Sequence, residues 1–127
     1  MEAYLYEPLE DEKVKCNMCS HRCVIKPGRR GLCNVRENQA GVLNTLVYGR
    51  VIASHVDPIE KKPFYHFLPG SDALSLATSG CPLSCKFCQN WEISQVRPEQ
   101  IRHIDLSPAQ VVATAQQYHS PVIAYTY

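Results

Sequence analysis

A strand-like stretch that runs into a cluster of cysteines decides the fold of the last third of this chain: Ala73-Leu-Ser-Leu-Ala-Thr78, then Gly80-Cys-Pro-Leu-Ser-Cys-Lys-Phe-Cys88. The first part alternates apolar and small polar residues, which is typical of a β-strand. The second part spaces its three cysteines as C-x3-C-x2-C. We therefore expect a strand that is followed at once by a metal-binding loop.

The three thiols of this loop, Cys81, Cys85 and Cys88, are one ligand fewer than a closed metal site needs. Cubane iron–sulfur clusters are held by cysteine thiolates, usually four, so three cysteines leave one iron for an outside ligand. A structural zinc site would instead be closed by a fourth protein ligand. The spacing favours a cluster with one open iron, and therefore chemistry at the metal.

The residues after the loop predict a helix and a second strand. Ser107-Pro108 is a helix start, with serine as the N-cap and proline at the first helical position. Ser120-Pro121 ends the helix, and Val122–Tyr127 is apolar enough for a strand. Strand, loop, helix and strand form a βαβ unit, which requires parallel strands. Ligands of such sheets bind at the carboxyl ends of the strands, where the cysteine loop begins.

Four further cysteines lie near the N-terminus, at Cys16, Cys19, Cys23 and Cys33. Short C-x2-C loops turn their thiolates toward one ion, and four thiolates suit zinc or iron. We expect a closed structural site that holds either zinc or a second iron–sulfur centre. His21 could replace one of the cysteines, although a solvent-facing histidine is the simpler interpretation.

The middle of the chain predicts a β-hairpin, with strands at 42–48 and 51–56 around a turn at Gly49-Arg50. The fold class is therefore α/β, with two regions. Residues 1–71 form a cysteine-rich metal-binding region with the hairpin, and residues 72–127 form the start of a barrel. A complete barrel of this type needs about 200 residues or more, so we expect the chain to be truncated.

Composition excludes several classes of function. The net charge of +1 gives no electrostatic footprint for nucleic acid. No apolar run approaches the roughly 18 residues of a membrane span, and the acidic N-terminus does not resemble a signal peptide. Seven cysteines, an odd number, without an export signal argue against a disulfide framework. We expect a cytoplasmic protein that binds neither nucleic acid nor membrane.

The cysteine motif, with the aromatic Phe87 before its third cysteine, resembles that of the radical S-adenosylmethionine superfamily. The wider sequence is similar to the radical enzyme of the AmmeMemoRadiSam system, a group similar to pyruvate formate-lyase activating enzymes. The matching segments are Cys16-x2-Cys19-Ser-His-Arg-Cys23, Gly31-Leu-Cys33-Asn-Val-Arg36, Asp57-Pro-Ile-Glu-Lys-Lys-Pro63, Phe67-Leu-Pro-Gly-Ser71 and Gly80–Asn90. The resemblance covers nearly the whole chain but only the N-terminal part of the family's length.

The resemblance implies a function and roles for particular residues. Cys81, Cys85 and Cys88 would hold a [4Fe-4S] cluster that binds S-adenosylmethionine and cleaves it reductively to a 5′-deoxyadenosyl radical. Phe87 would lie near the adenine, and Tyr125-Thr126-Tyr127 would begin the segment that grips the methionyl amine. The family also implies an electron donor of the flavodoxin or ferredoxin type and makes a protein substrate conceivable. This chain alone would be too short for activity.

Two other functions remain open from the residues themselves. The chain could be a non-catalytic module that binds zinc or an iron–sulfur centre. It could also be an electron-transfer protein with two clusters, although the open cysteine triad in a βαβ setting argues against this.

Overall fold

The computed structural model describes residues 1–126, which divide into two compact units. We call residues 1–48 with 79–101 the cysteine unit, and residues 49–78 with 102–126 the βαβ unit. The predicted boundary between residues 71 and 72 does not coincide with this division. The chain leaves the cysteine unit after Tyr48 and re-enters it at Ser79, so the cysteine loop belongs to the same unit as the N-terminal cysteines.

The regular elements are short. Within residues 1–126 the strands are β1 (Tyr6–Pro8), β2 (Val14–Cys16), β3 (Val24–Ile25), β4 (Arg36–Gln39), β5 (Val42–Thr45), β6 (Arg50–Val51), β7 (Ala53–Pro58), β8 (Asp72–Ala77), β9 (Ile104–Asp105) and β10 (Val122–Tyr125). The helices are α1 (Trp91–Ser94) and α2 (Pro108–Gln117), with 3₁₀ turns at Ile59–Lys61 and Pro98–Gln100.

The βαβ unit has the predicted strand–helix–strand arrangement. Strand β10 pairs in parallel with β8, with Val122 opposite Ala73 and Tyr125 opposite Leu76. Helix α2 connects them, and its N-cap is confirmed, because Ser107 Oγ accepts a hydrogen bond from the Gln110 backbone N–H. The core of this unit contains buried residues of α2 and of the strands: Val51, Leu74, Leu76, Val111 and Ala115.

The predicted hairpin between 42–48 and 51–56 is wrong. Strand β5 pairs instead with β4, across a turn at Ala40 and Gly41 in which both residues have positive φ. Such a turn matches the twist of the two strands that it joins. Strand β7 pairs antiparallel with β8, and the short β6 pairs with β9. The stretch around Gly49-Arg50 is therefore not a turn but pairs with residues 104–106, and Leu106 N–H donates to the Gly49 carbonyl.

The cysteine unit has its own small core. Sheet β1-β2-β3 and the β4–β5 hairpin bury Ala3, Val14, Cys16, Ile25 and Leu43. The buried Asn38 connects them, since its side-chain amide donates to the carbonyls of Glu12 and Ile25, each at 2.8 Å. The side-chain carbonyl of Asn38 accepts a hydrogen bond from the Gly41 N–H at 2.8 Å. One asparagine thus joins the hairpin turn to the first sheet.

Candidate metal centre

The cysteine loop begins where β8 ends and is tied back onto the short helix that follows it. Gly80 N–H donates to the Ile93 carbonyl at 3.1 Å, and Gln95 Nε2 donates to the Leu83 carbonyl at 2.7 Å. Inside the loop, Cys88 N–H donates to the Cys85 carbonyl at 3.3 Å. The first half of the loop is thus hydrogen-bonded to α1 and to Gln95, the residue that follows α1.

The three loop thiols differ in exposure. Cys85 is exposed, whereas Cys81 and Cys88 are partly buried. Cys88 Sγ lies 3.5 Å from Ser94 Oγ, in hydrogen-bonding range for sulfur. No disulfide joins any of the seven cysteines. None of the three loop thiols is therefore consumed by a disulfide.

The thiols are not assembled around a common point. Within residues 1–126, no three His, Cys, Asp or Glu side chains are grouped so as to hold a metal ion. Metal binding requires deprotonated thiols and is coupled to the folding of the segment that carries them. Cys81, Cys85 and Cys88 are ligands of the type that an iron–sulfur cluster takes. Their three sulfurs would have to move together when a cluster binds.

The N-terminal cysteines share the cysteine unit with the loop, so all seven lie in one compact unit. Cys16 is buried among apolar side chains, and Cys23 packs against that cluster. Cys19, Cys23 and Cys33 are partly exposed. Buried cysteine behaves as a small hydrophobe, so Cys16 already has a packing role apart from any metal. Zinc or iron at these four residues stays a prediction.

Two contacts join the N-terminal cysteine segment to the cysteine loop. His21 Nε2 lies 2.8 Å from the Pro82 carbonyl oxygen. Gly80 packs so closely that a Cβ there would lie 2.6 Å from the Cys33 carbonyl oxygen and 2.5 Å from Val35 Cγ1. Sequence reasoning missed both contacts; the only available signal was the glycine itself, next to the first cysteine. His21 is solvent-exposed, as expected, and its Nε2 has a partner in the loop.

An ion-pair group connects two other segments of the same unit. Arg30 Nε lies 2.8 Å from Glu37 Oε2, and Arg30 Nη1 lies 2.7 Å from Glu99 Oε1. Hydrogen bonds from Gln39 and then Arg30 lower the pKa of Glu37, and the bond to Glu37 raises the pKa of Arg30. The group links the N-terminal segment to the turn at Pro98–Gln100 and contains no group poised for proton transfer.

The predicted cofactor contacts are the least organised part of the site. Phe87 is 92% exposed, so its ring contributes little to the packing of the cysteine unit. Tyr125 is exposed at the end of β10, and Thr126 Oγ1 donates to the Leu76 carbonyl at 3.0 Å. Tyr127 lies outside the described residues. The roles of Phe87 and of 125–127 stay predictions.

Comparison with known proteins gives relatives without an assigned activity. The chain is 48% identical over 126 residues to the uncharacterized protein MJ0808 of Methanocaldococcus jannaschii, covering 99% of this chain and 38% of the relative. It is 29% identical over 85 residues to the uncharacterized protein MJ0674 of the same organism, covering 64% of this chain and 19% of the relative. No protein-family model and no solved structure matches. The chain thus spans well under half the length of these relatives.

The helices of residues 1–126 are also too short or too polar to cross a membrane.

Proposed function

We propose that this chain is the N-terminal portion of a radical S-adenosylmethionine enzyme, similar to pyruvate formate-lyase activating enzymes. One observation carries the proposal: a C-x3-C-x2-C loop starts at the carboxyl end of β8, the first strand of a parallel βαβ unit. Ligands of parallel sheets bind at that end. Three closely spaced thiols, one fewer than a closed four-thiolate site needs, suit a cluster that must keep one iron accessible.

In this proposal Cys81, Cys85 and Cys88 hold a [4Fe-4S] cluster, and S-adenosylmethionine binds beside it. The cluster would supply the electron that splits the carbon–sulfur bond of the sulfonium cofactor. The chain's own residues supply the thiolates and the fixed backbone around Cys81. The exposed ring of Phe87 offers an apolar face to an adenine.

The proposed setting is a cytoplasmic protein reduced by a flavodoxin or ferredoxin type of donor. Iron–sulfur thiolates persist in reducing compartments, where disulfides are rare. A protein substrate is part of the proposal by family resemblance. Because the chain covers 38% of its nearer relative's length, turnover is expected only from a longer protein.

A second candidate is a non-catalytic metal module, with zinc at Cys16, Cys19, Cys23 and Cys33, or with two clusters for electron transfer. It is favoured by the placement of all seven cysteines in one compact unit. Neither form of this candidate requires an accessible iron.

Anaerobic reconstitution with iron and sulfide separates the candidates. The proposal predicts about four iron and four sulfide that depend on the loop cysteines, lost in Cys85→Ser and kept in Cys19→Ser. After reduction, the electron-spin spectrum should change when S-adenosylmethionine is added. Zinc without sulfide, or two reducible centres whose spectra ignore S-adenosylmethionine, would select the second candidate.

A further inference from the structure

The N-terminal cysteine segment holds the cysteine loop on both sides of Cys81. On one side, Gly80 rests against the Cys33 carbonyl with φ +85°, in a space that no Cβ could occupy. On the other side, the Pro82 carbonyl lies 2.8 Å from His21 Nε2. Both contacts fall within the cysteine unit and join residues more than 40 positions apart in sequence.

Beyond Pro82, the loop contacts the residues around α1. The next carbonyl, of Leu83, is held by Gln95, which follows α1. Cys85 is exposed, and Phe87 between it and Cys88 is 92% exposed. The contacts of Gly80 and Pro82 with the N-terminal segment therefore flank the first cysteine of the motif.

The chemistry of the His21 contact fixes which ring nitrogen carries the proton. A proline carbonyl can only accept, so Nε2 must carry the hydrogen and donate it. While this bond is in place, Nε2 has no lone pair to offer to a metal. Through this hydrogen bond, the ring links the N-terminal cysteine segment to the cysteine loop.

We propose that His21 is a positioning residue: its hydrogen bond to the Pro82 carbonyl restrains the neighbouring Cys81. The Cys81 sulfur is then held in place before a cluster binds, and Cys85 and Cys88 move to complete the site. The N-terminal cysteine segment then supports the cysteine loop. The cluster-loading part of this inference rests on the proposed function, whereas the restraint on Cys81 does not.

The test measures the alkylation rate of each cysteine in the metal-free, reduced protein, by iodoacetamide labelling and mass spectrometry. His21→Ala should raise the rate at Cys81 about threefold to tenfold, the population change that one net hydrogen bond controls. The exposed Cys85 serves as the internal reference and should keep its rate. His66→Ala, at an exposed histidine of the βαβ unit, is the control for loss of a surface imidazole.

A rescue variant distinguishes positioning from general destabilisation. His21→Gln places an amide N–H at the same ε position and should restore the slow labelling of Cys81. His21→Asn places its N–H one atom short and should label like His21→Ala. Equal labelling of Cys81 in wild type and His21→Ala, or failure of glutamine to restore it, would overturn the inference.

Iron loading under limiting iron and sulfide gives the second readout. His21→Ala should load more slowly than wild type, by a similar factor, and His21→Gln should load normally. If the labelling pattern holds but no variant, wild type included, takes up iron and sulfide, His21 restrains Cys81 and the proposed function fails. If wild type and His21→Ala load and label identically, the cluster stands and the positioning role fails.

Discussion

Replacing Gly80 by alanine should destabilise the cysteine unit much more than replacing another glycine of the same backbone class. Gly80 has φ +85°, and an added Cβ would lie 2.6 Å from the Cys33 carbonyl oxygen, a contact that backbone atoms can relieve only by moving. A left-handed backbone destabilises the folded state of an L-residue by about 1–2 kcal/mol. Alanine also reduces the conformational entropy of the unfolded chain, which offsets about 0.4–1 kcal/mol of this loss. Overpacking of this kind adds about 1–3 kcal/mol. The expected loss in the free energy of unfolding is about 2–4 kcal/mol.

Gly28→Ala is the matched control, because Gly28 lies in the same unit with φ +69° and a Cβ there would meet nothing within 4 Å. It should cost only about 1 kcal/mol, the backbone part alone. Urea unfolding followed by the fluorescence of Trp91, the chain's single tryptophan, reports on this unit. Equal losses for the two variants would refute the close approach of Gly80 to the Cys33 backbone.

Three other perturbations test the fold around the site. Asn38→Ala removes the hydrogen-bond partner of the buried Ile25 carbonyl, of the partly buried Glu12 carbonyl and of the Gly41 N–H. It should lower the free energy of unfolding by about 3 kcal/mol in the same fluorescence assay, and a loss under about 1 kcal/mol would contradict its connecting role. Hydrogen bonds from Lys61 and then Lys62 hold the pKa of Asp57 well below its usual range. The ionised carboxylate therefore stabilises the folded state above the unfolded pKa of about 3.9, and this stabilisation is lost as pH falls from that value through the lower folded-state pKa. Circular dichroism melts at pH 6 and pH 3 should therefore show a larger acid loss for wild type than for Asp57→Asn, and parallel losses would argue against the ion pairs. Ser107→Ala should cost about 1 kcal/mol through loss of the α2 cap, read from thermal unfolding by circular dichroism, and no change in midpoint would speak against the cap.

Sequence reasoning succeeded where the signal was local. The cap at Ser107 and the proline at the first helical position identify the start of α2 without knowledge of its surroundings, because both act within one helical turn. The strand before Cys81 was predicted at 73–78 and lies at Asp72–Ala77. Its parallel pairing with β10 follows from the intervening helix, since parallel strands need such a crossover.

The reasoning failed where the partner of a segment lies far away in the chain. Gly49-Arg50 has the composition of a turn, but the backbone there pairs with Ile104 and Asp105, which nothing near residue 50 reveals. The actual hairpin turn uses Ala40, a residue that rarely adopts positive φ. The contacts of Gly80 with Cys33 and of Pro82 with His21 are equally non-local, so the cysteine motif predicts the donors of the site but not the segment that supports them.

The accessible iron is the central claim, and Mössbauer spectroscopy of the protein reconstituted with ⁵⁷Fe tests it most directly. With Cys81, Cys85 and Cys88 as the cluster ligands, adding S-adenosylmethionine should change the isomer shift and quadrupole splitting of one iron in four and leave three unchanged. A spectrum that S-adenosylmethionine leaves unaltered, in a protein shown to hold a full cluster on this loop, would contradict the account.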